Sequence, residues 1–198
     1  MKMSLYIITF MLLTAGNAFA GIGHEHTASG DIASGESYYD GKRFAWLEPG
    51  SLFDNDNSPG LFKVGLVWDE RYADKLHLIV NFPLGKSMSP TELGKKTGVL
   101  KLDMDGKKSE LPRVVGSVVI KEEGGFGKEV KTYIRFEVTR QIIKSMLSSK
   151  QVHFELDAAS KVYKGNLYVP AQVKNYYQDA KYTAINGMKR FYKEVWGD

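Results

Sequence analysis

Apolar and polar residues alternate one by one through several short segments of the chain. In residues 130–138, VKTYIRFEV, the set that begins with Val130 is apolar apart from one threonine, and the intervening set is mostly charged. Successive side chains of a strand point to opposite faces, so this period of two predicts strands with one face in a core and the other in water. The same alternation recurs in residues 62–68, 75–82, 151–156 and 161–169.

Short connections between these segments favour antiparallel pairing. Residues 69–75 are too few to form a crossover helix between parallel strands. Asp105-Gly106 has the composition of a two-residue hairpin turn, and residues 122–129, EEGGFGKE, form a longer glycine-rich connection. The sequence therefore predicts an α+β fold that is mainly antiparallel β, with roughly seven to nine strands in a single β-sandwich-like or strongly curved-sheet domain.

Two segments place apolar residues at helical spacing. The first follows Thr139, a candidate N-cap, and covers residues 140–150. The second is an amphipathic helix predicted over residues 175–197, with Gly197 as a candidate C-cap. We expect the first helix to be a short insertion between strands and the second to pack across an open side of the sheet.

The first 20 residues have the order of a secretory signal peptide. Lys2 precedes an apolar run of about 12 residues, and Ala18-Phe19-Ala20 has the small-x-small form of a cleavage site. The run is shorter than the roughly 20 residues of a membrane span, so we expect no transmembrane segment after cleavage. The chain has no cysteine, which favours a bacterial periplasm or bacterial secretion over a eukaryotic secretory route.

Composition divides the remainder of the chain into two parts. Residues 21–41 are rich in Gly, Ser and Ala, so we expect a flexible N-terminal arm. Residues 42–198 are expected to form a single β-rich domain that ends with the C-terminal helix. The formal net charge is +4, and loss of Lys2 with the leader leaves +3. So small an excess does not indicate nucleic-acid binding, but it allows attraction to an anionic component of the cell envelope.

Residues suited to catalysis are few, and we assign none of them a catalytic role. The chain has no thiol and no G-x-S-x-G elbow, and the histidines beyond the arm, His77 and His153, alternate with core residues on predicted strands. One alternative is a periplasmic hydrolase that acts on an envelope polymer. That alternative predicts a cleft in which an acid with a raised pKa meets His77 or His153.

A second alternative is a metal-binding protein that uses its N-terminal arm. His24 and His26 flank a glutamate, and neutral imidazoles bind zinc and copper well. A stable site uses three or four ligands in fixed geometry, so this signal is weak and we predict no cofactor. Residues 54–60, DNDNSPG, are interpreted as a turn, because Pro59 stands where a calcium loop needs glycine.

Exposed aromatic and basic residues are the remaining candidates for binding. Phe126, with Lys128 beside it, lies at the tip of the glycine-rich connection and could enter a groove of a partner. The predicted C-terminal helix carries further candidates, namely Tyr182, Lys189, Arg190 and Trp196. The competing interpretation is that Phe126 folds back on the sheet and the helix only covers the core.

These observations predict a periplasmic or secreted, non-catalytic binding or accessory protein of the bacterial cell envelope. Its partner would be a protein or an anionic envelope component, and its ligand is left open. The pattern does not specify an oligomeric state.

Overall fold

The computed structural model describes residues 28–36, 40–72, 76–84, 88–123, 129–177 and 179–197. The described strands are β1 (Ile32–Glu36), β2 (Arg43–Phe53), β3 (Pro59–Asp69), β4 (Leu76–Pro83), β5 (Thr97–Met104), β6 (Lys107–Leu111), β7 (Val119–Glu123), β8 (Glu129–Val138), β9 (Val152–Ala158) and β10 (Lys161–Asn166). The helices are α1 (Pro90–Lys95), α2 (Arg140–Ser148), α3 (Lys174–Tyr177) and α4 (Ala184–Trp196), and 3-10 turns cover Glu70–Tyr72 and Ala171–Val173. Among these helices, none is long and apolar enough to cross a membrane.

The strands of this part of the chain all belong to one antiparallel sheet. Their order is β6-β5-β9-β10-β2-β3-β4-β8-β7, and β1 pairs with β2. The predicted α+β fold with a mainly antiparallel sheet is confirmed, and α2 is inserted between β8 and β9 as expected. The ten described strands exceed the expected number because β1 lies in the segment predicted to be a flexible arm.

Two short backbone contacts between strands, which we call joints, close the curled sheet around one interior. At the first joint, the pairing of β10 with β2 consists of one residue pair, Asn166 with Phe53. At the second, the chain just beyond β6 reaches β8, where Arg113 pairs with Phe136. There the Val114 amide donates to the Arg135 carbonyl at 2.9 Å, and the Glu137 amide donates to the Pro112 carbonyl at 2.9 Å. The path of paired strands therefore returns to itself.

The inner face of the curled sheet holds the core. In residues 130–138 the predicted alternation is observed, since Ile134 and Phe136 are fully buried while Glu137 is exposed. His77 is half-buried and His153 is exposed, as expected for residues that alternate with core positions. The largest fully buried side chains come from both halves of the sheet and from α4, and include Phe53, Phe82, Phe136, Phe154 and Phe191.

The outer face of the central strands is also buried, contrary to the simple alternation. Val67 on β3 and Ile79 on β4 form a second apolar cluster with Trp46, and Tyr133 packs against it. Glu48 accepts hydrogen bonds from Trp46 Nε1 at 3.0 Å and from the Tyr133 hydroxyl at 3.1 Å. Large aromatic side chains on flanking strands can thus shield smaller apolar neighbours on the same face.

Part of the segment predicted to be a flexible N-terminal arm, residues 21–41, is a strand, β1. β1 pairs with β2 in register from Ile32 with Leu47 to Glu36 with Arg43. Only Ile32 and Ala33 of β1 are partly buried, so the strand is held mainly by its backbone ladder, which composition does not reveal. Residues 21–27 and 37–39 lie outside the described residues.

The C-terminal helix is shorter than the predicted span of 175–197. α3 ends at Tyr177 and α4 begins after Thr183, whose backbone is extended with φ −79° and ψ 141°. The reason is that Thr183 bridges Ser51 of β2, and the Ser51 amide donates to the Tyr182 carbonyl at 2.8 Å. The chain cannot be helical where it pairs with a strand. The predicted C-cap at Gly197 is confirmed, with φ 73°.

Sequence-predicted turns and caps agree with the structure elsewhere. Asp105 and Gly106 connect β5 to β6 with φ of 52° and 88°, as a two-residue hairpin turn requires. The Asp105 carboxylate also accepts from the amides of Lys150 and Gln151, and these hydrogen bonds lower its pKa. Thr139 accepts a hydrogen bond from the Ile142 amide at 3.2 Å and so caps α2.

A bulge in β2 leaves no room for a side chain at the facing position of β3, which is Gly65. The pairing with β3 shifts between Leu47 and Gly50, so Glu48 and Pro49 together face Gly65. Proline has no amide hydrogen, and a bulge is one of the few places in a strand that tolerates it. A Cβ on Gly65 would lie 2.2 Å from the Leu47 carbonyl oxygen.

The substitution Gly65→Ala should therefore destabilise the fold. We expect the free energy of unfolding in urea to fall by about 1–3 kcal/mol, because the backbone of the bulge must move to admit the methyl group. Gly98→Ala is the matched control, since a Cβ there meets nothing closer than 3.8 Å. The control should change stability by less than about 0.5 kcal/mol. Equal effects of the two substitutions would contradict the bulge geometry.

Candidate binding surface

Trp196, one of the predicted partner-binding residues, belongs to the packing of the domain. Its ring lies 4.8 Å from Tyr192 and 6.4 Å from Trp68, measured between centroids. The Arg140 guanidinium covers Trp196 at 5.1 Å and Tyr192 at 5.4 Å. These cation–π contacts join α2 to α4. Trp196 is half-buried and is engaged on several sides by groups of its own chain.

Arg190, another predicted partner-binding residue, also binds groups of its own chain. Its Nη2 donates to the Gly30 carbonyl and, at 3.1 Å, to the Lys181 carbonyl. One guanidinium therefore holds the start of the N-terminal strand segment and the turn that precedes α4. Hydrogen bonds from a charged donor to two carbonyls are stronger than neutral ones, so the structure assigns Arg190 a stabilising role.

The substitution Arg190→Met should loosen both attached segments. Gly30 donates its amide to the Glu48 carbonyl, and we expect hydrogen exchange at this amide to accelerate when the arginine is lost. The free energy of unfolding should fall by about 1–3 kcal/mol. Lys189→Met removes the same charge from the exposed neighbouring position and should change neither quantity. An Arg190→Met protein that matches the Lys189→Met control in both measurements would refute this role.

Tyr182 lies instead in an exposed group of rings, which we call the tyrosine patch and define as Tyr176, Tyr177 and Tyr182. Tyr176 is 82% exposed and Tyr182 is 41% exposed. The ring centroid of Tyr177 lies 6.4 Å from that of Tyr176 and 6.4 Å from that of Tyr182. Tyr177 also contacts the buried ring of Phe53 edge-on at 5.6 Å. The patch is thus exposed on one side and attached to the core on the other.

Of this patch, only Tyr182 is among the residues predicted from the sequence to bind a partner. The predicted helix over residues 175–197 would carry all three tyrosines, and its break before Thr183 changes which rings are neighbours. The signal that indicates the break is a threonine, a good N-cap residue, just before the run of residues that forms α4.

Basic residues surround the patch along the chain. Residues 174–190 contain four basic side chains, Lys174, Lys181, Lys189 and Arg190, and one acidic side chain, Asp179. The three lysines are exposed. Their positive charge lies beside amphipathic rings, a combination that suits an anionic partner with apolar surface.

A polar groove of about 500 Å³ lies on the outer face of β5, β6, β9 and β10, and His153 lines it. The Glu155 carboxylate there accepts from Lys164 Nζ at 2.9 Å and from Lys101 Nζ at 3.1 Å. These two hydrogen bonds lower the pKa of Glu155. Wherever a described carboxyl group has a shifted pKa, the shift is downward. The lowered pKa of Glu155 is thus opposite in direction to the raised pKa that the hydrolase alternative predicts for an acid beside His153.

Four of the predicted site residues, His24, His26, Phe126 and Lys128, lie outside the described residues. Within the part of the chain that the structure describes, no three His, Asp or Glu side chains are grouped to hold a metal ion. Of residues 54–60, which are predicted to form a turn, residues 54–58 do so and Pro59 begins β3. In this turn Asp54 Oδ1 accepts from the amides of Asp56 and Ser58 at 3.0 Å.

Comparison of the chain with protein-family models, curated proteins and solved structures finds no match.

Proposed function

We propose that this chain is an exported, non-catalytic binding protein of the bacterial cell envelope. Its ligand is an anionic envelope polysaccharide, which contacts the tyrosine patch and the lysines beside it. The observation that carries this proposal is the exposure of Tyr176 and Tyr182 at the same site where Tyr177 is anchored on Phe53.

The anchoring matters because it reduces the entropic cost of binding. Phe53 is fully buried, and Thr183 is fixed by its bridge to Ser51. The rings of the patch, which precede this bridge in the chain, are therefore attached to a rigid frame at two points, Phe53 and Ser51. Tyrosine has only two rotatable side-chain bonds, so a preordered tyrosine surface loses little conformational freedom when a ligand covers it.

The two chemical components of the surface suit different parts of such a ligand. The ring faces can cover the apolar faces of sugar units, while the phenolic hydroxyls donate to their oxygens. Lys174 and Lys181 lie next to the patch in sequence and can offset phosphate or carboxylate charges. Because these lysines are exposed, their contribution should weaken as salt rises.

The export part of the proposal is supported by sequence alone. Residues 1–20 follow the order of a signal peptide, and the chain has no cysteine. The net charge of +3 after cleavage is compatible with an anionic envelope surface.

Binding to purified lipopolysaccharide, measured by isothermal titration, tests this proposal. We use protein recovered from the envelope fraction, in which we expect Gly21 to be the first residue. The double substitution Tyr176→Ser with Tyr182→Ser should weaken binding by roughly tenfold or more, because it removes both exposed rings. Deletion of the whole C-terminal segment is not a suitable test, since Met188 and Phe191 of α4 belong to the core.

The matched control is Val115→Ser with Val162→Ser, two exposed apolar residues outside the patch. The control should bind as the unaltered protein does, and uncharged dextran should bind neither. If the tyrosine and valine variants bind lipopolysaccharide equally well, or if the unaltered protein does not bind it, the proposal is wrong.

A further inference from the structure

A second groove lies where the curled sheet meets itself. It has a volume of about 530 Å³ and is bounded by the ends of β6 and β8, the start of β4 and the first turn of α2. The apolar residues that line this second groove belong neither to the tyrosine patch nor to the groove beside His153. Its existence follows from the second joint, because the segment 112–114 must leave β6 to reach β8.

The floor and walls of this groove are apolar. Leu76, Leu111 and Val138 are buried members of the core that border it, and Ile142 of α2 is half-buried at its side. Pro112 also lines it. Of the lining residues, Pro112 is exposed and Val114 and Ile142 are half-buried, so these three side chains offer a short hydrocarbon chain an apolar surface from which water is readily displaced.

The charged side chains that line the groove are acidic. Glu110 and Glu137 are both exposed at its edge, and no lysine or arginine is among its lining residues. His77, opposite Glu137 in the pairing of β4 with β8, is its other ionisable residue. Lys101 faces Glu110 across β5 and β6 and attracts it electrostatically, but the hydrogen bond of Lys101 Nζ goes to Glu155, at 3.1 Å. The groove is therefore acidic in a chain whose formal net charge is positive.

We propose that this groove binds a small cationic amphiphile, an amine on a short apolar chain. The apolar chain lies on Pro112, Val114 and Ile142, and the ammonium group lies between the carboxylates of Glu110 and Glu137. The carboxylates at the edge and the apolar lining of the groove favour a cationic amphiphile over a fatty acid or a neutral alcohol of equal length. The inference does not rest on the proposed polysaccharide binding.

The test is a titration of the isotope-labelled protein followed by NMR, with hexylammonium, hexanoate and hexanol as probes at neutral pH. Hexylammonium should shift the amide signals of Leu76, Leu111 and Ile142, and should bind roughly fivefold or more tightly than hexanoate or hexanol. The double substitution Glu110→Gln with Glu137→Gln should abolish this preference while hexanol binding stays the same.

The matched control is Glu36→Gln with Glu92→Gln, which changes the net charge equally at exposed positions that do not line the groove. The control should keep the preference for hexylammonium. Three outcomes would overturn the inference: equal binding of the three probes, the same loss of preference in the control variant, or shifts confined to residues outside the groove. Because the comparison of probes uses the unaltered protein, it holds even if the double variant folds poorly.

Discussion

The closure of the sheet on itself is the constraint on which the rest of this structure depends. Nine of the ten described strands follow one path, and β1 pairs with β2 beside it. The path depends on two short contacts, Asn166 with Phe53 and Arg113 with Phe136. Both phenylalanines are fully buried. Backbone pairing and side-chain burial thus coincide at each joint, so opening either joint would expose an aromatic ring as well as unpaired backbone groups.

Both surfaces that we propose for binding are consequences of these joints. At the first, Phe53 carries the ring contact to Tyr177, so the end of β2 supports the tyrosine patch. At the second, the crossing from β6 to β8 leaves the groove with its apolar floor. α4 completes the arrangement by packing on β2, where a Cβ on Gly187 would lie 2.9 Å from Leu47 Cδ1. Arg190 then ties this helix to the N-terminal segment.

Local patterns predicted the parts of the fold that local physics controls. The alternation in residues 130–138, the cap at Thr139 and the turn at Asp105-Gly106 each depend on neighbours in sequence, and each is observed. β1 was missed because IASGE has few apolar side chains and gains its order from a partner strand. The helix break at Thr183 was missed because its cause, the bridge to Ser51, is 132 positions away (183 − 51).

The candidate site residues also differ in whether their surroundings depend on neighbours in sequence or on distant parts of the chain. Tyr182 and Lys189 are exposed as predicted. Trp196 instead contacts Trp68, and Arg190 donates to the Gly30 carbonyl, so both interact with residues that are distant in sequence. No sequence pattern indicated the groove between Glu110 and Glu137. These two residues become neighbours of one cavity only through sheet closure.

Native-state hydrogen exchange across the second joint tests this closure most directly. The amides of Val114 and Glu137 form the joint, and the amide of Leu78 lies in the central pairing of β3, β4 and β8. If closure creates one cooperative core, the joint amides exchange only through global unfolding, with the same free energy and urea dependence as Leu78. Exchange of Val114 and Glu137 through a local opening that is insensitive to urea, while Leu78 stays protected, would contradict the account.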